Sequence, residues 1–112
     1  LTATYNLVCP QATTFTFAFK PQTDGVNWDL TNYTATMTVR PFTGSSTTTL
    51  LATTANGLIS INTSTSVVTV TFSATATDIS AENYVYDFVF YSGAVTTRLL
   101  EGKFLVTAGV TL

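Results

Sequence analysis

The sequence predicts an all-β fold: a single antiparallel β-sandwich of about seven to nine short strands spanning residues 1–112, with one short helical turn near residues 75–80. Three observations predict it. Apolar and polar residues alternate in one run after another, the period of a strand with one buried face. No segment sustains the longer period of a helix. Threonine, β-branched and polar enough for the solvent face of a strand, occupies 26 of the 112 positions.

Taken in order, residues 2–8 form a short first strand, and Pro10 ends it because proline cannot donate to a ladder. From Thr13 to Lys20, Phe15, Phe17 and Phe19 share one face, while Thr14, Thr16 and Ala18 share the other. Pro21 to Gly25 is a turn, with Asp24-Gly25 as the conformationally permissive pair. Tyr33, Ala35, Met37 and Val39 then face inward, alternating with Thr34, Thr36, Thr38 and Arg40, and Pro41 stops that strand. A loop at Gly44 precedes a weaker strand over residues 47–54, expected at a sheet edge. Asn56-Gly57 is a strong turn signal. Residues 58–62 are a short strand, Ser64 to Ser66 turn, and Val68, Val70 and Phe72 mark the buried face of the next strand. Thr75-Ala76-Thr77-Asp78 begins like a capping box with Asp in place of Glu, and predicts the helical turn that crosses between sheets.

Residues 84–106 read as two long strands joined at Ser92-Gly93. A two-residue turn there sets Asp87 opposite Arg98, Tyr86 opposite Leu99 and Phe88 opposite Thr97. The Asp87–Arg98 pair is expected to specify register more than to add stability, since an opposed charge pair contributes about 0.2–1 kcal/mol.

Composition narrows the function classes. Charged residues are 9% of the chain, against about 25% in an ordinary domain, so the outer strand faces are polar but almost uncharged. Such a surface is weakly protected against association and suits a subunit packed among neighbours. The four bases, Lys20, Arg40, Arg98 and Lys103, are scattered along the sequence, and the net charge is −2, so no nucleic-acid partner is expected. No apolar run is long enough to span a bilayer and no signal-peptide pattern opens the chain, so no membrane partner is expected. Cys9 is the single cysteine, unable to pair within the chain and expected as a small buried apolar residue.

Catalytic chemistry has little to build on. Without histidine there is no Ser-His-Asp or Cys-His centre and no histidine-ligated zinc. No glycine-rich phosphate loop is present. Glycoside hydrolysis needs two facing carboxylates, and each of the six acids has a structural reading. Asp24 lies in a turn, Asp29 in a loop or cap, Asp78 at the end of a helical turn and Glu82 in a linker; Asp87 pairs with Arg98, and Glu101 with Lys103 or backbone. The expectation is a protein that is not an enzyme. Asp24, Asn27 and Asp29 form the oxygen-rich cluster calcium favours, but without EF-hand spacing or a bidentate glutamate. The expectation is a self-bonded turn with no metal and no cofactor. Tyr84, Tyr86, Phe88, Phe90 and Tyr91 suggest a carbohydrate platform or, on alternation, a sandwich core; core is the expectation. Trp28, beside a loop, is the candidate ligand-facing aromatic.

The stretch Asp24-Gly25-Val26-Asn27-Trp28-Asp29-Leu30-Thr31-Asn32-Tyr33-Thr34-Ala35-Thr36-Met37-Thr38-Val39-Arg40 resembles the D-G…D-L-T-G-Y-x-A-x-M-x-x-R pattern of small proteins encoded among the structural genes of tailed bacteriophages. The aliphatic strand Val68 to Phe72, the turn Ser73-Ala74-Thr75-Ala76-Thr77, the hairpin elements Tyr86-Asp87-Phe88, Ser92-Gly93 and Val95 to Gly102, and the tail Gly109-Val110-Thr111-Leu112 continue the resemblance over most of the chain. The pattern is also similar to the N-terminal immunoglobulin-like domain of upper-baseplate proteins of phages that infect Gram-positive bacteria. Asn32 stands where that pattern has glycine, a substitution a turn tolerates because Asn accepts positive φ. Leu112 stands where the tail ends in arginine, which leaves no charged C-terminal contact to carry over.

The resemblance implies an immunoglobulin-like sandwich and a non-enzymatic virion structural protein, made in the cytoplasm of the bacterial host. It implies a tail, baseplate or fibre-attachment adaptor first, and a capsid decoration protein as the alternative within the class. The implied partners are other virion proteins and copies of the chain itself. The rival of another class is a carbohydrate-binding module aiding host attachment, with a host glycan as ligand. The resemblance supplies no functional residues.

Overall fold

The alternating runs are laid out as eleven strands: β1 (Ala3–Thr4), β2 (Leu7–Pro10), β3 (Phe15–Phe19), β4 (Gln22–Thr23), β5 (Val26–Asn27), β6 (Thr34–Arg40), β7 (Leu50–Thr53), β8 (Ile59–Asn62), β9 (Val67–Phe72), β10 (Asn83–Ser92) and β11 (Val95–Thr107). The computed structural model describes residues 3–108; the tail at Gly109 to Leu112 lies outside them. The larger sheet runs β1-β11-β10-β6-β7, with β2 also on β11; the smaller runs β3-β9-β8; β4 and β5 form a separate ribbon. With β3, β9 and β8 as strands B, E and D and β11, β10 and β6 as G, F and C, this is the immunoglobulin-like arrangement. A tyrosine corner accompanies it: Tyr84, at the start of β10, donates its hydroxyl to the Ser80 carbonyl oxygen at 2.8 Å, four residues upstream.

The sheets are held face to face by the inward residues of each strand. Ala35, Met37 and Val39 of β6, Phe88 and Phe90 of β10 and Phe104 and Val106 of β11 are buried against Val68, Val70 and Phe72 of β9. Aromatic rings bridge the layers edge to face, Phe19 to Phe88 at 5.1 Å and Phe15 to Phe104 at 5.3 Å, each pair adding about 0.5–1.5 kcal/mol beyond burial. Met37 and Val39 pair with Ala52 and Leu50, which places β7 at the sheet edge as expected. Asp24 (φ 52°) and Gly25 (φ 79°) are both left-handed between the paired Thr23 and Val26, the signature of a type I′ hairpin. Asn32, at φ 66°, uses the conformational freedom that lets it stand in for glycine.

Two expectations are corrected, the first strand and the hairpin register, and two are adjusted in position. The first strand is not continuous and not antiparallel. β1 pairs parallel with Leu100–Glu101 and β2 parallel with Phe104–Thr107, and the chain steps out between them at Tyr5 and Asn6. Pro10 ends the strand as its last paired residue, opposite Thr107 at the sheet edge, where no donor is needed.

The helical turn near 75–80 is shifted rather than absent. It is one hydrogen-bonded turn two residues earlier, with Thr77 N donating to Ser73 O at 3.1 Å and Ala76 N to Ser73 Oγ at 3.1 Å. Ser73, not Thr75, is the cap, because Thr77 Oγ1 turns inward to the carbonyl oxygens of Thr13 and Ala74 and holds the crossing against the core.

The hairpin register also differs. The turn residues are Gly93 and Ala94, flanked by the pair Ser92–Val95, with Gly93 at φ 58° as a type II′ turn requires at its first central position. Moving the turn one residue along slips the pairing, and a bulge at Leu99 slips it again. Asp87 is opposite Glu101 rather than Arg98, Tyr86 opposite Gly102 rather than Leu99, and Phe88 opposite Leu100 rather than Thr97.

Candidate assembly surface

Among the described residues the outer face of the larger sheet carries no second layer, and its composition follows from register. Reading across β6, β10 and β11, one row holds Arg40, Val85 and Lys103; the next holds Thr38, Asp87 and Glu101; the next Thr36, Val89 and Arg98; the last Thr34, Tyr91 and Thr96. Charge is therefore striped: positive, negative, positive, then threonine and tyrosine. Leu51 and Thr53 of β7 extend the second and third rows to the edge.

Three of the chain's four bases and two of its six acids meet around one shallow cavity of about 390 Å³. Arg40 on β6, Asp87 on β10 and the trio Arg98, Glu101 and Lys103 on β11 come together only in the sheet. The bulge makes this possible. Arg98 and Glu101, three residues apart, would fall on opposite faces of a regular strand; the extra residue Leu99 lets both point outward.

Arg98 Nε lies 3.3 Å from Asp87 Oδ2. The two are not directly opposed, so the contact runs diagonally across the bulge. It also offsets the repulsion between Asp87 and its direct neighbour Glu101. With side chains 57% and 35% exposed, the pair contributes about 0.2–1 kcal/mol. Arg40 works differently: its guanidinium donates to the carbonyl oxygens of Ser45 and Thr47, both at 3.2 Å, and fixes the loop that brings Thr43 and Gly44 to the cavity rim.

Asp87 and Glu101 sit side by side on an open sheet, not across a cleft as glycoside hydrolysis requires. Asp29 accepts from the Thr31 hydroxyl at 2.7 Å and the Thr31 amide at 3.1 Å, and these bonds lower its pKa. Asn27 accepts from the Gln22 side chain across the β4–β5 ribbon. Asn27 and Asp29 of the oxygen-bearing cluster are thus engaged in local bonds.

Trp28 is half-buried at the end of the sandwich. Its ring packs 6.1 Å from Phe90, and its carbonyl oxygen accepts from Ser66 Oγ at 2.8 Å. Tyr84, Tyr86, Phe88 and Phe90 are buried in the core, while Tyr91 points outward from the last row. Cys9 is fully buried, and burial raises its thiol pKa against the opposing bond to Thr77.

Sequence reasoning found the Asp87–Arg98 contact but not the striped face, which depends on a bulge that composition does not mark. It also missed a second, apolar groove of about 400 Å³ between Phe17 and Phe19 of β3, Tyr5, and Leu99 and Leu100 of β11. The alternating phenylalanines of β3 and the Leu99-Leu100 pair were its only sequence signals. No protein-family model matches the chain, and no curated protein matches it as a relative.

Proposed function

We propose that this chain is a non-enzymatic structural subunit of a tailed-phage virion, an adaptor of the tail, baseplate or fibre attachment that works through protein–protein contacts. The virion setting rests on the sequence resemblance from Asp24 to Arg40 and through the last hairpin. The observation that carries the contact role is the face of the larger sheet left uncovered among the described residues, where charges ranged in three stripes lie beside the threonines of β6 and a last threonine–tyrosine row. A flat, striped face can be matched by a partner with the complementary order of charges, which fixes orientation and rejects a shifted register. A specific contact of this kind buries about 1,200–2,000 Å² in total, which an open sheet face of this domain can share with an edge.

The test is co-sedimentation of the purified protein with purified tails and with purified heads from the same phage. Retention on tails, weakened by Arg98→Glu and by Lys103→Glu, is the expected result. Retention on heads alone replaces the adaptor role with capsid decoration. A protein held by neither, but captured on a glycan array in a Trp28-dependent way, overturns the reading in favour of a carbohydrate-binding module.

A further inference from the structure

We infer that the edge of β3 pairs with β3 of a second copy of this chain, antiparallel about a two-fold axis through Phe17. Among the described residues β3 pairs with β9 alone, so its other edge presents main-chain donors and acceptors. The other edges are broken or shorter. The β1–β2 edge is broken at Tyr5 and Asn6 and ends in Pro10, and β7 and β8 have four residues each. β3 has neither charge nor proline within Phe15–Phe19, the devices that ordinarily keep an edge single.

The sequence of the strand selects a copy of itself as occupant. Phe-Thr-Phe-Ala-Phe is symmetric in its alternation about Phe17. An antiparallel copy sets Phe17 against Phe17, Phe15 against Phe19 and Thr16 against Ala18, so aromatic faces aromatic on the inner side and small faces small on the outer. Lys20 falls opposite Thr14 of the copy, which leaves no like charges opposed.

The flanking groove needs the same cover. Tyr5 is 53% exposed although its ring stacks on Phe17 at 5.7 Å, and Phe17, Phe19, Leu99 and Leu100 are only partly buried beside it. A second copy on β3 would continue the smaller sheet through six strands and carry its own Tyr5 and Phe17 over this apolar seam. The contact is isologous and closes at two copies. It deepens the assembly reading, and the choice of a copy of the chain as partner rests on that reading.

Sedimentation velocity over a wide concentration range tests it, with the Thr16→Lys/Ala18→Lys and Thr16→Glu/Ala18→Glu double variants. Both positions are exposed on the outer side of the edge, and circular dichroism checks that each variant keeps the fold. Wild type is expected to dimerise. Each variant alone is expected to be monomeric, because like charges then face each other twice across the axis, and an equimolar mixture of the two is expected to recover the dimer. Amide exchange protection of residues 15–19 should rise with wild-type concentration. A wild-type monomer at every concentration overturns the inference, as does a dimer that survives both double substitutions. Either failure leaves retention on tails or heads unchanged as a separate readout, so it is distinguishable from failure of the virion reading.

Discussion

The phenol of Tyr86 donates its hydrogen bond to the carbonyl oxygen of Tyr5, across the Cα of Gly102. The step between β1 and β2 is held at this point from three directions. Tyr5 N donates to Glu101 O at 2.9 Å, Lys103 N donates to Asn6 Oδ1 at 3.0 Å, and Tyr86 closes the set from the core side. Gly102 is required because the chain passes directly over it. A Cβ there would run into the Tyr5 carbonyl oxygen and come within 2.9 Å of its carbon, and backbone cannot swing aside.

Gly102→Ala is therefore expected to destabilise the fold by about 1–3 kcal/mol, the cost of forcing extra volume into a packed site. Tyr86→Phe keeps the ring and loses one hydrogen bond, about 1 kcal/mol. Urea denaturation of the two variants checks both the order and the size of these losses.

The same tyrosine sets an alkaline limit. Burial, and then the neighbouring Tyr5 phenol, push the Tyr86 pKa up to about 12. A tyrosine whose folded pKa exceeds its ordinary value of about 10 contributes stability that is complete below that value and lost as pH rises through the folded one. The wild-type denaturation midpoint should fall between about pH 10 and the folded value, and Tyr86→Phe should flatten that part of the profile. An equally steep fall in the variant would assign the effect to another group.

The Asp87–Arg98 contact is diagonal and exposed, so its energetic share is small. A double-mutant cycle with Asp87→Ala and Arg98→Ala should give a coupling of about 0.2–1 kcal/mol. That coupling should shrink as salt is raised, because exposed pairs are screened. Coupling well above this range would mean that a third charge, Glu101 or Lys103, acts with the pair as a unit.

How much was legible in the sequence follows from which signals are local. The inward set Ala35, Met37 and Val39 was readable because alternation in β6 is strict and binds each residue to one face. The turn at Asp24-Gly25 was readable because few residues accept two successive positive φ values, but its type I′ hairpin was not. The last hairpin was readable but its register was not, since Ser92-Gly93 and Gly93-Ala94 are both acceptable turn pairs and nothing nearby chooses between them. The parallel course of β1 and β2 along β11 was hidden for a different reason: strand direction depends on connections across the whole sandwich. The striped face compounds both problems, because bringing Arg40, Arg98 and Lys103 together needs the correct turn and the bulge at once.

The bulge itself supplies the sharpest test of this register. Leu99 lies between Arg98, paired with Val89, and Leu100, paired with Phe88, and has no partner of its own on β10. Deleting Leu99 leaves every pair on either side intact and keeps Arg98 and Glu101 outward. The variant should fold and lose about 1–3 kcal/mol, the usual range when a half-buried leucine and a local twist are removed. Deleting Val85 is the contrast. It pairs with Arg40 on one side and Lys103 on the other, so its loss slips the start of a central strand against both neighbours and turns the buried Tyr84, with its bond to Ser80, toward the outer face. Circular dichroism and urea denaturation should find the Leu99 deletion folded and the Val85 deletion clearly less stable than it. A Leu99 deletion as damaging as the Val85 deletion would mean that the bulge carries structure the ladder alone does not describe.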